Sequence, residues 1–248
     1  MKNRRWYLSI FTIFIGLSVI FYYIQILLFH NTHETFFLFF QDLSFVPIDV
    51  LLVTFFLDRL MKKREKQVFL NKLNMVIGVF FNDIGIDFIK KCNSILNDAD
   101  AIISSLQITA NWTDKDFASV KNNLALTPNH LTPDTENLES LQNFLQTKKQ
   151  SLLALLANPN LLEHDEFTNL LWAVFHLADE LSQRENFTAL PQTDIDHLKV
   201  DVHRAYKLVI IEWVSYIKHL KRDYPYLFSV AIRTNPFNPD AKVVIEDL

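Results

Sequence analysis

The alternation of apolar and polar positions divides the chain into an apolar N-terminal quarter and a longer amphipathic remainder. Residues 6–29 include no charged side chain. A helix of that length rises about 36 Å, enough to cross a hydrocarbon layer of about 30 Å with some tilt. The pattern therefore predicts a first membrane span over residues 6–29.

A second apolar stretch follows a short polar break and covers residues 36–60. It is interrupted by Asp42, Pro47 and Asp49. The second span begins either at the start of this stretch or about seven residues later, with the first aromatic residues then lying at the membrane interface. Asp49 lies inside the membrane in both placements, and the two stretches together predict a two-helix transmembrane hairpin.

Basic residues on both sides of the hairpin set its orientation. They precede the first span and follow the second, whereas the connecting loop contains neither Lys nor Arg. Because an excess of Lys and Arg marks the cytoplasmic side, we predict a multi-pass protein of the prokaryotic plasma (inner) membrane with both termini in the cytoplasm. The basic residues after the second span, which act as a topology signal alone or also contact anionic lipid, are Arg59, Lys62, Lys63 and Arg64.

Two aspartates make the second span more informative about function than the first. An ionised Asp at the centre of a span costs about 2.5–3.5 kcal/mol on insertion scales, so Asp49 should face protein, water or an ion. Asp42 lies two helical turns earlier on the same face, and Pro47 leaves a carbonyl one turn back without its donor. Several copies around an axis would present rings of carboxylates that attract cations. In the structural alternative, Asp42 lies in water and Asp49 bonds a hydroxyl or Gln25 of the first span.

Beyond residue 60 the apolar positions recur at steps of three and four, which is the helical period. One long amphipathic helix is predicted to residue 106, with bends near Gly78 and Gly85. Capping residues and apolar stripes predict further helices and a C-terminal segment packed over them; the helices cover residues 113–124, 133–157, 165–184 and 193–222, and the segment covers 224–237. The expected fold is all-α, with the hairpin at residues 1–60 and a cytoplasmic helical bundle at residues 61–248.

Composition excludes several functional classes. The 24 basic and 28 acidic residues give a net charge of -4, which argues against a nucleic-acid partner. Three glycines are too few for a phosphate-cradling loop, and a single cysteine excludes a disulfide within the chain and a multi-cysteine zinc site. Nothing resembles a nucleophile elbow, and His203 and His219 are expected on helix surfaces. We therefore predict a protein that is not an enzyme and has no cofactor.

A weak candidate for a metal site lies in the bundle. A carboxylate and a histidine three residues apart share a helix face, as in the metal sites of helical bundles. The residues with this spacing are His176, Asp179, Asp194 and His197. In the alternative, these acids form an ion-pair network with the nearby cations Arg184, Arg204 and Lys207.

Two resemblances follow from this layout. The acidic entrance of the second span resembles the mitochondrial calcium uniporter family in layout, but the Trp-Asp-x-x-Glu-Pro signature is replaced by Phe-Gln-Asp-Leu-Ser at residues 40–44, so no residue role carries over. The hairpin, the helix that contains Trp213 and the aromatic segment after it resemble uncharacterised two-transmembrane prokaryotic proteins. By architecture alone, the chain also resembles the two-span membrane effectors of bacterial anti-phage systems of the retron or abortive-infection type, which implies depolarisation of the membrane.

Two functions are compatible with this organisation. In the first, the chain is a homo-oligomeric, channel-like effector whose bundle responds to a signal or partner, so that the hairpin permeabilises the membrane or conducts ions, in anti-phage defence if the resemblance applies. In the second, the hairpin anchors a non-conducting adaptor whose bundle binds a cytoplasmic protein. Replacing Asp49 discriminates between them, since only the first function needs that carboxylate.

Overall fold

The residues that the structure, a computed structural model, describes are 2–30, 32–95, 103–126, 133–161, 164–242 and 244. Within these ranges every regular element is a helix, so the prediction of an all-helical chain is confirmed there. The chain divides into two compact units, Met1–Lys66 and Gln67–Leu248.

Eight α-helices and one π-helical turn account for most of the described residues. In chain order they are α1 (Lys2–Phe29), α2 (Thr32–Phe80), the π turn (Phe81–Gly85), α3 (Ile86–Asn93), α4 (Asp114–Leu126), α5 (Thr135–Leu156), α6 (Asp165–Ser182), α7 (Gln192–Asp223) and α8 (Pro225–Arg233). The bounds of α4 to α7 lie within two residues of those predicted from the sequence.

The long amphipathic helix expected after residue 60 is divided differently. Its first part belongs to α2, which begins upstream at Thr32, and the π turn joins α2 to α3. The turn ends at Gly85, one of the two glycines at which a bend was expected. The rest of the predicted helix includes residues 96–102, which lie outside the described residues.

The first unit consists of α1 and the N-terminal part of α2, and it has almost no interior. The helices are connected at His30, whose φ of 51° lies in the left-handed region that His tolerates better than most residues. Tyr22 and Phe39 meet edge to face with their ring centroids 5.8 Å apart. Among the described side chains of this unit, only Thr35 is buried. The apolar residues of both helices are therefore not covered by the unit itself.

The second unit is a helical bundle organised around α7. This helix packs against α3, α4, α6 and α8, and α5 packs on the other side of α6. Trp213 of α7 is buried at the centre, where its ring contacts Phe237 with the centroids 5.0 Å apart. The C-terminal segment thus packs over the bundle as the sequence predicted, and it contains the additional helix α8.

Four aromatic rings meet where α2 passes into the π turn. Phe80 meets Phe167 of α6 edge to face at 5.5 Å, and Phe81 stacks on Tyr216 of α7 at 5.2 Å. Gly85 leaves room for this cluster, because a Cβ at that position would lie 2.5 Å from Cδ1 of Phe81. No carbon atom approaches a ring carbon so closely without displacement of one of them.

Replacing Gly85 by alanine should therefore destabilise the bundle. We expect Gly85→Ala to lower the free energy of unfolding by about 1–3 kcal/mol, the usual cost of an extra methyl group in a packed core. Gly16→Ala is the matched control, since nothing lies within 4 Å of a Cβ there. Urea unfolding of the purified chain, followed by tryptophan fluorescence, measures both variants; an unchanged midpoint for Gly85→Ala would contradict this account of the turn.

Candidate functional site

The predicted pore residues lie on one continuous stretch of α2. The helix passes through Pro47 without a break, so Asp42 and Asp49 lie two turns apart on one face, about 10 Å along the axis. Both are exposed, as are the apolar residues around them. Pro47 has no N–H to donate to the carbonyl of Leu43. This face of α2 therefore combines two carboxylates with a carbonyl that lacks its usual helical donor.

The basic residues at the end of the first unit are also exposed. Lys62 Nζ lies 2.8 Å from Asp58 Oδ2, and the Arg59 guanidinium lies over the Phe55 ring at 5.0 Å from its centroid. The hydrogen bond to Asp58 raises the pKa of Lys62. Exposed pairs of this kind contribute little stability.

Asp194, one of the predicted metal ligands, is held by an arginine. Arg184 Nε and Nη2 donate to the two Asp194 carboxylate oxygens at 2.7 and 2.8 Å, and its Nη1 donates to Glu180 Oε2 at 2.9 Å. These hydrogen bonds hold the pKa of Asp194 below its usual range and raise that of Arg184. The pair joins the end of α6 to the start of α7, as one would expect of a structural ion pair.

The other three predicted ligands contact Lys149 or Asp201. Asp179 lies 3.4 Å from Lys149 Nζ of α5. His176 and His197 instead face Asp201 of α7, with Nε2 to Oδ2 distances of 3.5 and 3.4 Å. In the described part of the chain, no group of three His, Cys, Asp or Glu side chains is arranged to hold a metal ion.

Asp201 is the residue of this cluster that the sequence reasoning missed. It is 6% exposed, and its Oδ2 has no hydrogen-bond partner among the residues that the structure describes. The spacing His197-x-x-x-Asp201 places both groups on one helix face and is the sequence signal for this contact, whereas the metal-site pattern has a spacing of three. Glu180 Oε2 lies 3.9 Å from His197 Nε2 and completes a polar cluster between α6 and α7.

A second buried acid lies where α4, α6 and α7 meet. Glu212 of α7 is 5% exposed, and burial raises its pKa to about 7, with Glu166 acting in the same direction and Lys121 opposing it. Lys121 Nζ lies 3.4 Å from Glu166 Oε2 and 3.2 Å from Ser215 Oγ. The protein therefore carries a carboxyl group that changes its charge near neutral pH.

His219 corrects another expectation, since the sequence placed it on a helix surface. It is buried, its Nδ1 lies 2.8 Å from Asp223 Oδ2, and burial lowers its pKa. Two residues outside α7 lie against it: Tyr224, whose ring centroid is 5.6 Å from that of the imidazole, and Asn74 of α2, whose Nδ2 lies 3.2 Å from His219 Nδ1.

Comparison with known proteins places both parts of the chain. Residues 69–233 match the family described as "Uncharacterized protein MJ1433, C-terminal helical domain", and residues 2–61 match "MJ1433, N-terminal helical domain". The chain belongs to the MJ1433 family. "Uncharacterized protein MJ1433" of Methanocaldococcus jannaschii is 42% identical over 247 residues, which cover 100% of this chain and 99% of that protein. No solved structure matches.

These MJ1433 family descriptions are consistent with helical N- and C-terminal parts. Neither the descriptions nor the name of the archaeal relative refers to phage defence. The resemblance to anti-phage effectors therefore carries no part of the proposals below.

Glu212 should make the stability of the bundle depend on pH. Its pKa in the folded chain, about 7, lies above its ordinary value of 4.5. The stabilising contribution is therefore complete below about pH 4.5 and is lost as the pH rises through 7. We expect the free energy of unfolding to fall by about 2–3 kcal/mol between pH 5 and pH 8 through this group.

Urea unfolding across this pH range, with Glu212→Gln as the test variant, measures the effect. The Gln variant should be close to the wild type at pH 5 and more stable at pH 8. Glu139→Gln, a change on an exposed residue of α5, is the matched control and should keep the wild-type profile. Parallel profiles for the Glu212 variant and the wild type would rule out this assignment.

Proposed function

We propose that the protein is a homo-oligomeric membrane protein in which α1 and the N-terminal half of α2 cross the membrane, and the helical bundle controls an ion path between the copies. The observation that carries this proposal is the first unit's lack of an interior. Its apolar side chains are exposed along two long helices, whereas the second unit buries its own core.

Lipid would cover the exposed apolar side chains of this first unit. A soluble monomer rarely exposes apolar patches larger than a few hundred Å². A helix satisfies its backbone hydrogen bonds internally and can therefore lie in hydrocarbon. Both helices are long and apolar enough to cross a membrane by length and composition; the apolar window of α1 is Phe11–Leu28, with mean hydropathy 2.1. A buried core helix or a signal sequence passes the same test, and here neither window is buried.

The charges near the ends of the two helices favour one orientation. Basic residues lie before α1 becomes apolar and after the apolar part of α2, whereas the connection around His30 has none. Under the positive-inside rule, this distribution places both ends in the cytoplasm. The bundle would then lie in the cytoplasm, and Arg59, Lys62, Lys63 and Arg64 would lie near the inner headgroups.

The acidic face of α2 is what suggests conduction. In a lipid bilayer, Asp42 and Asp49 need a polar environment, which a single hairpin does not give them. Copies arranged around an axis would turn these faces inward and form two rings of carboxylates separated by about 10 Å. Such rings attract cations and exclude anions. Asp49, whose insertion into lipid costs the most free energy, would thereby be a residue that selects the ion.

Control by the bundle follows from the course of α2 along the sequence. This helix contributes residues to both units, from Thr32 to Phe80. Its C-terminal end passes into the π turn and the aromatic cluster with Phe167 and Tyr216. Binding of a partner or signal to the bundle would act on the helix that also carries Asp42 and Asp49.

A membrane-anchored adaptor is the second candidate. The specific observation in its favour is that the second unit buries a complete core without the first. In that case α1 and α2 only attach the bundle to the membrane, and the carboxylates of α2 carry no current.

Cysteine labelling of intact cells tests the topology. Cys92 is buried and burial raises the pKa of its thiol, so the wild-type chain should react little and serves as the background. We expect His33→Cys to react with a membrane-impermeant maleimide from outside. Lys115→Cys, in the bundle, should react only after the cells are permeabilised. Extraction of the chain from membranes by alkaline carbonate would refute the membrane hairpin, whereas the reverse labelling pattern would refute its orientation.

Reconstituted vesicles test conduction. With the wild-type chain in vesicles that hold a potassium gradient, we expect a voltage-sensitive dye to report collapse of an imposed potential. Asp49→Leu should reduce the rate to that of protein-free vesicles, and Asp42→Asn should lower it, because both remove charge from the ion path. Asp58→Asn, a change on an exposed acid later in α2, is the matched control. A wild-type rate equal to that of empty vesicles would exclude conduction and leave the adaptor.

A further inference from the structure

The outer surface of the second unit has a groove that combines an exposed aromatic ring with two cations. It lies between α6 and α7 and has a volume of about 470 Å³. The residues that line it are Asn169, Trp172, Arg204, Lys207, Leu208 and Ile211. None of them belongs to the acidic face of α2 or to the polar cluster around Asp201.

Trp172 is the prominent feature of the groove. It is 55% exposed, although indole rings are on average well buried in folded proteins. Its ring meets Phe175 edge to face, with the centroids 6.1 Å apart and the planes at 88°. A half-exposed indole supported in this way loses little conformational freedom on binding. Tryptophan and arginine are the residue types that most often dominate the energy of protein interfaces.

The shape of the surface favours an elongated occupant. Val200, Arg204, Lys207 and Ile211 follow one another on α7 at steps of four, three and four, so they form a stripe about 16 Å long. Val200 is exposed and extends the apolar surface beyond the groove itself. Three helical turns match a partner helix that presents side chains at positions i, i+4 and i+7. A single phosphate or headgroup would cover only part of this stripe.

The charge of the groove selects an acidic partner. Its two charged lining residues are both basic, whereas the chain as a whole carries a net charge of -4. Arg204 is exposed, and its planar guanidinium suits a bidentate contact with a carboxylate. Complementary charge increases the rate of encounter and fixes the register of the bound segment. Leu208 and Ile211, which pack against the core, supply the apolar floor.

We propose that this groove binds an acidic amphipathic helix of a partner protein. Apolar side chains of the partner pack against Trp172, Leu208 and Ile211, and its carboxylates pair with Arg204 and Lys207. The groove lies wholly within the second unit, so the proposal stands whether or not α1 and α2 conduct ions. Failure of the vesicle experiment would not affect it.

Fluorescence anisotropy with two designed peptides tests the proposal on the full-length chain in detergent. Both labelled peptides have about 14 residues, or four helical turns, with Leu at i, i+4 and i+7. One carries Glu and the other Lys at the flanking positions. We expect the Glu peptide to bind in the micromolar range and the Lys peptide to bind far more weakly. Trp172→Ala and Arg204→Glu should each weaken the Glu peptide by at least about tenfold.

Matched controls make the result decisive. Lys115→Glu, the same kind of charge reversal on an exposed residue of α4, should leave binding unchanged. Circular dichroism checks the fold of each variant, and Arg204→Ala provides a milder change at the same position. Equal binding of both peptides, no binding of the Glu peptide at millimolar concentration, or insensitivity to the Arg204 variants would overturn the proposal. Displacement of the peptide by inorganic phosphate or by phosphatidylglycerol vesicles would overturn it too, in favour of a phosphate-binding site.

Discussion

Burial of apolar side chains around α7 is the interaction on which the second unit depends. Trp213 lies at its centre, and Phe81, Phe167 and Phe237 reach the same interior from three separate parts of the chain. Each fully buried aromatic or aliphatic side chain contributes about 1.5–3 kcal/mol relative to exposure. The first unit has no comparable interior among its described residues. The same chain thus contains one part that stabilises itself in water and one that needs another covering.

The polar groups of the bundle differ in how well their neighbours compensate for their burial. Arg184 is satisfied by two carboxylates at the junction of α6 and α7, and it loses little by being partly buried. Glu212 is buried with Lys121 as a nearby opposing charge, and burial raises its pKa. Asp201 lies between these cases, because two imidazoles face it at distances longer than a good hydrogen bond. Ion pairing is thus strongest at the junction, whereas the deeper acids are left with weaker partners.

Helix positions were largely predictable from the sequence because their signals are local. Asp134, next to the predicted start of α5, caps that helix by accepting from the Asn137 N–H within a single turn. The helix α8 was not predicted, although Pro225 stands at its start. The candidate site was less predictable, since it depends on which helices become neighbours. Asp194 has the spacing of a metal ligand, but Arg184 reaches it from across the α6–α7 connection. Likewise, the expected position of His219 is the surface of α7, but the residue is buried, and Tyr224 and Asn74 from outside that helix lie against it. The periodicity of apolar residues predicts which face of a helix is buried. It does not predict which other helix packs against that face.

Asp49 and Glu212 raise the same physical question, namely how a carboxyl group is accommodated among apolar side chains. Each is a carboxylate whose surroundings are apolar, on α2 in the first case and inside the bundle in the second. Glu212 is enclosed by its own chain, where the charge of Lys121 partly opposes the effect of burial on its pKa. Asp49 is exposed on a helix with no interior behind it, so the chain alone cannot shield it from lipid. If α2 spans the membrane, Asp49 therefore needs water or a second polar protein surface beside it, and the proposed oligomer would supply that surface from other copies of α2.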